Sequence, residues 1–270
     1  MNNIESINLD SIKKPWVLAL DMGSSSSRAM VFDANAQPIP GLEAHRHYAI
    51  PFLADGTVET NPDDLLQALF ECIDDVVAQA GKHAQRISAV GSCTFVTSTM
   101  GITHDGQPTT PLITYADTRS TQDAAILEHK IDAAAIHQRT GCRPYPTYFP
   151  ARYLWMHRTH PDWVKRTAHW ITIGDYLILR LFGRIITSYS VASWSGLLNI
   201  RDLTWDQQTL NTIHLDEEQL PNLVDIDTSV GNLKPEFASR WPCLGAVPWY
   251  PPMGDGAAAN LGSDCYTPKQ

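Results

Sequence analysis

Residues 21–28 read Asp-Met-Gly-Ser-Ser-Ser-Ser-Arg, and they join two short apolar runs, residues 16–20 and 29–32. Runs of this length are typical of buried strands, and two strands so close in sequence predict a β-hairpin. The glycine and serines between them place several backbone N–H groups and hydroxyls on one concave surface, which can hold phosphate oxygens. A solvated serine-rich turn is the alternative, and the turn alone does not decide between the two.

Two charged residues flank this turn. Asp21 ends the first run and is placed to hold Mg²⁺ through water, since Mg²⁺ usually keeps several of its waters. Arg28 adds a fixed positive charge that can neutralise a phosphoryl group during transfer. The chain contains neither a Walker phosphate-binding motif nor the glycine pattern of dinucleotide-binding folds. The candidate phosphate-binding residues are therefore Asp21, Gly23, Ser24, Ser25, Ser26 and Arg28.

The pattern that follows the hairpin predicts an α/β domain. A third strand is expected near residues 45–50, and Asn61 followed by Pro62 is a strong helix start. Apolar residues then recur at helical spacing until Gly81, a plausible stop. Residues 87–91 predict a buried strand, so the order is three strands, a helix and a strand. Further predicted elements are a strand at 97–102 and helices at 121–128, 133–138, 150–156 and 174–182.

Composition excludes several classes of function. The 270 residues are 43% hydrophobic and 18% charged, which predicts a folded chain with a substantial core. The net charge of −9 argues against nucleic acid and anionic membranes as partners. No apolar stretch is long enough to span a bilayer. Five scattered cysteines predict a reducing compartment, and we expect a cytoplasmic protein with a flexible extension at residues 1–14.

Near the end of the chain, Asp255 lies between Gly254 and Gly256, just before an apparent helix at residues 257–261. Glycines let another group approach the backbone closely. An aspartate in such a place can accept the proton of a substrate hydroxyl as that hydroxyl attacks a γ-phosphate. A helix-capping aspartate in a loop is the alternative.

Five segments of this chain resemble, in order, the signature segments of the FGGY carbohydrate kinases, which belong to a larger group with actin and the heat-shock chaperone ATPases. Residues 21–28 match the family's Asp-x-Gly-[Ser/Thr]-x-[Ser/Thr]-x-Arg. Residues 111–119 are similar to its Trp-x-Asp-x-Arg segment, with Tyr115 in place of tryptophan. The remaining segments are residues 174–183, residues 190–206 and residues 254–262.

The resemblance implies a ribonuclease-H-like α/β domain of the actin and hexokinase type, with a mixed sheet and helices on both faces. It implies a kinase that uses ATP and Mg²⁺, with Asp21 organising the metal and Ser24, Ser25, Ser26 and Arg28 facing the γ-phosphate. Asp255, preceded by Gly254, is the implied general base. Residues 15–253 are the implied N-terminal sugar-binding domain, and residues 254–270 start an interdomain segment. A second, nucleotide-binding domain is the partner that this chain lacks.

Within the family, the chain most resembles gluconokinases and xylulokinases. Those enzymes usually carry Gln-Met-His in the sugar pocket, where this chain has Phe95, Val96 and Thr97. The imidazole is lost and the pocket becomes more apolar, so a sugar or polyol other than gluconate is an open alternative to a sugar acid. Asp117 and Arg119 are implied at the same pocket as ligands or as support, and a buried structural ion pair is the alternative for both.

Two other functions stay open beside that of an active kinase half. The first is a sugar-binding module, or a truncated kinase remnant, that no longer catalyses. A structural protein of the actin-like group is the second, which residues 115–206 argue against because they resemble sugar kinases. A homodimer is left open as a further partner.

Overall fold

The computed structural model describes residues 8–267. This part contains thirteen strands and ten α-helices. The strands, β1 to β13 in chain order, are Trp16–Met22, Ser26–Phe32, Pro38–His47, Glu59–Thr60, Ile87–Thr94, Met100–Ile102, Leu112–Ile113, His169–Ile171, Ile186–Ser188, Leu198–Asn199, Thr204–Trp205, Asn222–Val224 and Met253–Gly254. The helices, α1 to α10, are Pro62–Ala80, Thr121–Lys130, Ala133–Thr140, Phe149–Thr159, Pro161–Arg166, Ile173–Phe182, Tyr189–Ala192, Gln207–Ile213, Pro235–Arg240 and Asp255–Gly262.

The central sheet has five strands in the order β13-β5-β1-β2-β3. Strands β1 and β2 pair antiparallel, with Val17 opposite Phe32, and β3 continues the antiparallel meander. Strands β5 and β13 both run parallel to β1. This mixed order, a meander extended by parallel strands, is that of a ribonuclease-H-like domain and confirms the predicted fold class.

Alternation along β1 gives the sheet two different faces. Trp16, Leu18, Leu20 and Met22 point to a fully buried face, and the residues between them point to a partly exposed face. The first turns of helices α1 and α6 are joined by a hydrogen bond that Tyr176 of α6 donates to Asp63 of α1 (2.8 Å). Both helices contribute to the core that includes the buried face. The opposite face carries Asp21 and, as shown below, the start of α10.

Helix α1 follows its sequence signals closely. The side chain of Asn61 accepts a hydrogen bond from the backbone of Asp63, and Pro62 occupies the first turn. The helix ends at Gly81, whose φ of 52° favours glycine. Its buried side is the predicted apolar row, which packs on β1, β2 and β3.

Several strands differ from the prediction. β2 begins at Ser26 rather than residue 29, and β3 begins at Pro38 rather than residue 45. The strand expected at 97–102 begins only at Met100, because Thr97 adopts a φ of 57° and breaks the extended backbone. Pairing partners and local backbone breaks decide these bounds, and neither is visible in apolar runs.

A second, mostly helical part of the fold lies between β6 and β12. Its core is built from large side chains of α4 and α8 together with Trp170 and Trp205. Helix α4 packs against both α2 and α5. This helical lobe forms one wall of the cleft described below.

The start of the described chain lies against the domain. Residues 1–7 of the expected flexible extension fall outside the described residues. Leu9–Ser11 form a 3-10 turn, and the carbonyl oxygen of Leu9 accepts a hydrogen bond from Arg86 (2.6 Å). Leu9 and Ile12 pack against the core of the domain. The polar composition of this segment did not predict that attachment.

Two further observations concern the described residues as a whole. None of the helices in residues 8–267 is both long and apolar enough to cross a membrane. All five cysteines lie in that range and all are free thiols.

Candidate active site

The carboxyl ends of three parallel strands meet at one edge of the sheet. Asp21 of β1 is in register with Cys93 of β5, and Cys93 is in register with Met253 of β13. Because neighbouring strands lie about 4.8 Å apart, roughly 10 Å separates the backbone of Asp21 from that of Met253. Asp255 follows two residues later, so the fold gathers two carboxylates that are far apart in sequence.

Cys93 lies between these carboxylates. Its thiol donates a hydrogen bond to Oδ1 of Asp21 (3.4 Å). Burial, together with the neighbouring carboxylates of Asp21 and Asp255, raises the pKa of Cys93 to about 12. The thiol therefore stays protonated at neutral pH and can keep donating to Asp21.

The hairpin turn has the geometry of a two-residue loop. The backbone N–H of Gly23 donates to the carbonyl oxygen of Ser26 (2.9 Å), which leaves Ser24 and Ser25 at the tip. Tyr48 holds the turn from below by donating to the carbonyl oxygen of Gly23 (2.5 Å). Ser26 belongs to β2 and is only 6% exposed. The hydroxyls that a ligand can reach are thus those of Ser24 and Ser25, whereas the sequence predicted three.

Arg28 is the cross-strand partner of Asp21 and is exposed on the same face of the sheet. Its Nε donates to Nε2 of His45 (3.3 Å). Desolvation and the neighbouring His47 and Arg28 lower the pKa of His45, which favours the neutral imidazole that accepts this bond. Arg28 therefore places a fixed positive charge beside Asp21 and the turn.

Gly254 brings the Asp255 segment close to the sheet. Its backbone N–H donates to Oγ of Ser190 (3.1 Å). A Cβ at position 254 would lie 2.8 Å from Cγ1 of Val96, so only glycine fits without a shift. Asp255 is the first residue of α10, is exposed, and accepts a hydrogen bond from the backbone of Gly256 (2.8 Å). Asp255 is thus open to solvent at the helix start, with Oδ1 bonded to its own helix.

A cleft of about 320 Å³ opens beside Asp255. Its lining combines the hairpin tip, the segment after β5, the helical lobe and the start of α10. Tyr115 and Trp194 are 46% and 41% exposed, so both rings offer surface to a ligand in the cleft. The lining residues are Ser24, Phe95, Val96, Thr97, Tyr115, Thr147, Tyr148, Trp194 and Asp255.

Asp117 and Arg119, both predicted at the sugar pocket, do not line this cleft. Asp117 is 2% exposed and accepts hydrogen bonds from the backbone of Val58 (2.9 Å) and from Arg119. Arg119 also pairs with Glu59 (2.5 Å), and its guanidinium lies 4.4 Å from the ring centre of Trp155. This is the geometry of a structural ion pair that fixes the loop carrying Tyr115.

Arg152 supports the cleft from behind. It is 1% exposed and donates from its two terminal nitrogens to the carbonyl oxygens of Thr97 and Thr114. Burial lowers the pKa of Arg152 to about 9, so the guanidinium is still charged at neutral pH. It thereby holds Thr97 in a left-handed conformation that β-branched residues rarely adopt, and it fixes the residue before Tyr115.

Four cleft residues were not predicted as ligands: Tyr115, Thr147, Tyr148 and Trp194. Tyr115 lies in a segment that the sequence singled out, and its aromatic ring in place of tryptophan was the available signal. Thr147 donates to the carbonyl oxygen of Tyr115 (2.8 Å) and lies 3.3 Å from the hydroxyl of Thr97. The exposure of Trp194 and Tyr148 depends on how the lobe packs, which the sequence alone does not reveal.

The donor set at the sheet edge fits a magnesium ion carried by a nucleotide. Among residues 8–267, no three His, Cys, Asp or Glu side chains are grouped so that they could hold a metal ion. Mg²⁺ is often held by one or two carboxylates, waters and substrate phosphates instead. Asp21 supplies such a carboxylate beside the turn.

Comparison with known proteins agrees with this geometry. Gluconokinase from Bacillus subtilis is 25% identical over 247 residues, which are 92% of this chain and 47% of the relative. Glycerol kinase from Thermococcus kodakarensis is 28% identical over 258 residues, covering 93% of this chain and 50% of the relative. The chain thus spans about half the length of the curated relatives it matches.

Solved structures show the same fold. The gluconate kinase of Lactobacillus acidophilus has a TM-score of 0.86 at 24% identity, covering 94% of this chain and 50% of that one. The xylulose kinase of Rhodospirillum rubrum has a TM-score of 0.88 at 19% identity, covering 94% and 51%. The model of the FGGY family of carbohydrate kinases, N-terminal domain, matches residues 16–262. With the sheet order, the hairpin and the Asp255 segment all in agreement, this chain belongs to the FGGY family of carbohydrate kinases.

Proposed function

We propose that this chain forms the sugar-binding and phosphate-facing half of an enzyme that transfers the γ-phosphoryl group of ATP to a hydroxyl of a sugar or sugar acid. The observation that carries the proposal is the meeting of Asp21 and Asp255 at Cys93, next to a cleft of suitable size for a small carbohydrate. Kinases of this family supply the precedent, and the residues at the sheet edge have the chemistry that the transfer needs.

In this proposal, a hydroxyl of the bound sugar gives its proton to Asp255 while its oxygen bonds to the γ-phosphorus. The bond from that phosphorus to the bridging oxygen of ADP breaks, and ADP leaves. Mg²⁺, when bound with ATP, neutralises charge on the phosphates. Asp21 holds that ion through water, the turn at Ser24 and Ser25 donates to phosphate oxygens, and Arg28 balances the charge that develops.

The adenine and ribose of ATP are assigned to the part of the relatives that this chain does not span. The described residues of this chain offer the hairpin to the outer phosphates, and we propose that the second half of the cleft closes over the nucleotide. A cytoplasmic location, where ATP and free thiols are both maintained, belongs to the same proposal. The chain by itself is then expected to bind sugar weakly, bind ATP poorly and turn over slowly or not at all.

A sugar-binding module without catalysis is the second candidate. The observation that favours it is the cleft itself, whose lining of hydroxyls and aromatic rings can hold a sugar without any phosphoryl transfer. The retained hairpin, Arg28 and Asp255 favour the catalytic proposal, because a module that only binds sugar has no use for groups that face a phosphate.

The substitution Asp255→Asn tests the proposal. It keeps size and hydrogen bonding but removes the proton acceptor, so phosphoryl transfer should fall by about 10² to 10⁴ while sugar affinity stays within a few-fold. The rate is to be measured in any longer product of the gene, with a panel of sugars and ATP·Mg²⁺, and sugar affinity is to be measured in this chain as well. Asp227→Asn, an exposed change away from the cleft, is the matched control. Near-normal turnover of the Asp255 variant would show that Asp255 only begins α10 and is not the base. Tight ATP binding by this chain alone would contradict the proposal that adenine and ribose bind outside it.

A further inference from the structure

The cleft has an unusual charge composition. Asp255 is its single charged lining residue among the residues that the structure describes, and none of the lining residues is an arginine, lysine or histidine. A bound carboxylate would therefore face another carboxylate without a basic partner. We propose that the substrate is a neutral polyol or sugar and not a sugar acid. This inference rests on the proposed function and narrows it.

The uncharged part of the lining suits a neutral polyol. Three aromatic side chains, Tyr115, Tyr148 and Trp194, provide apolar surface against which the C–H face of a carbohydrate can pack, and the buried Phe95 lies beside them in the lining. The hydroxyl groups of Ser24, Thr97 and Thr147 lie between them. Hydroxyls donate and accept hydrogen bonds, so they match sugar hydroxyls, which do the same.

These polar groups are already joined to one another. Oγ of Ser24 lies 3.4 Å from the Tyr115 hydroxyl, and the Thr147 hydroxyl lies 3.3 Å from that of Thr97. The first pair is near the hairpin and the second pair is deeper, against the segment after β5. A chain of substrate hydroxyls can therefore bond at two levels of the cleft without any charged partner.

The nearby cations are engaged elsewhere or directed away. Arg119 is paired with Asp117 and Glu59. Arg152 lies behind Thr97, and its two terminal nitrogens donate to backbone carbonyls. Its positive charge is opposed by the nearby Asp117, which acts to raise its pKa.

Two other arginines lie near the cleft but outside its lining. Arg143 lines a separate groove with Pro144 and Tyr145. Arg28 lies at the hairpin, beside Asp21, where the phosphates are proposed to bind. A substrate carboxylate in the cleft would thus be desolvated and repelled by Asp255, and this repulsion is a means of rejecting sugar acids.

Matched pairs of ligands test the inference on this chain. D-Glucitol and D-gluconate differ only at C1, which is a hydroxymethyl group in one and a carboxylate in the other, and xylitol and D-xylonate form a second pair. We expect calorimetry at pH 7.5 and moderate salt to show at least tenfold tighter binding of the neutral member of the better-bound pair. Equal or tighter binding of the acid would overturn the inference and leave the kinase proposal intact. If neither pair nor a wider panel of neutral sugars binds, the proposed function falls and the inference falls with it.

A positive charge introduced into the cleft provides a second test of the inference. Val96→Lys adds a cation to the lining, and Val96→Met adds similar length without charge. We expect the lysine variant to bind D-gluconate about tenfold more tightly than the methionine variant, with no such gain for D-glucitol. A lysine variant that folds, as judged by its circular dichroism and melting curve, but shows no gain for the acid would contradict the role given to charge. If the lysine variant does not fold, wild-type binding of the two pairs decides the question alone.

Discussion

At the scale of single residues, Arg152 has the clearest structural task. It bridges the carbonyl oxygens of Thr97 and Thr114 from a buried position. Arg152→Met would leave both carbonyls without these donors, which typically costs about 2–5 kcal/mol when a buried polar group loses its partner. We expect the free energy of unfolding in urea to fall by that amount, and sugar affinity to fall as Thr97 and Tyr115 are released.

The same substitution at an exposed site is the control for this prediction. Arg184→Met changes a surface arginine and should shift the free energy of unfolding by less than about 0.5 kcal/mol. If the Arg152 variant is as stable as the Arg184 variant and binds sugar normally, Arg152 does not hold the cleft.

Sequence motifs singled out charged residues that the fold brings to the site and others that it does not. Asp21 and Asp255 each lie in a short motif with a glycine within two residues, and their roles stay predictions. Asp117 and Arg119 lie in an equally recognisable motif, yet the fold pairs them with each other and with Glu59 away from the cleft. A motif identifies residues with a structural or functional role. Whether such a residue contacts the ligand depends on which side of its loop the side chain lies.

At the scale of elements, the junction of β13 and α10 sets the position of Asp255. Gly254→Ala would place a Cβ 2.8 Å from Val96, a stiff β-branched side chain, so the strand or the valine must move. Displacement of a reacting group by about 1 Å can cost up to 10²-fold in rate. We expect turnover in any longer product of the gene to fall roughly 10- to 100-fold, and the sugar affinity of this chain to fall as well.

Gly256→Ala is the matched control for this junction. A Cβ at position 256 would meet nothing within 4 Å, and alanine is the better helix former. Sugar affinity and melting temperature should therefore be unchanged or slightly raised. Equal behaviour of the two variants would show that close packing at Gly254 does not position Asp255.

Elements formed by local interactions were predicted more accurately than elements formed by pairing with distant residues. Helix α1 is fixed by local signals, the cap at Asn61 and the stop at Gly81, and it was predicted almost to the residue. Strand β13 is two residues long and exists because Met253 and Gly254 pair with the end of β5. Residues 251–254 read Pro-Pro-Met-Gly, so no apolar run marks this strand, and its pairing partner is distant in sequence.

At the scale of the whole molecule, Asp175 makes stability depend on pH. It caps α6 from a buried position, accepting a hydrogen bond from the backbone of Thr172 (2.8 Å). Burial raises the pKa of Asp175 from 3.8 to about 6. Since the folded state binds this proton more tightly than the unfolded state, the stabilisation is complete below about pH 4 and is lost as pH rises through 6.

Asp175→Asn should remove this dependence. The difference in free energy of unfolding, variant minus wild type, is expected to rise by about 3 kcal/mol between pH 4 and pH 7, since each pKa unit corresponds to about 1.4 kcal/mol. Urea unfolding of both proteins across that range measures the difference directly. A difference that stays flat with pH would mean that the carboxyl of Asp175 ionises normally in the folded protein.

The shortness of β13 affects how fast the backbone around Asp255 opens. Asp21 is on a central strand with a partner on each side, whereas Asp255 follows a short strand at the sheet edge and begins a helix with no buried residues. Edge elements with few buried contacts open locally at low free energy. Backbone amides of α10 should therefore exchange with deuterated solvent orders of magnitude faster than those of β1, as mass spectrometry can measure. A carbohydrate bound against Asp255 should slow exchange in α10 and leave β1 unaffected, so the substrate itself would hold the proposed general base in place.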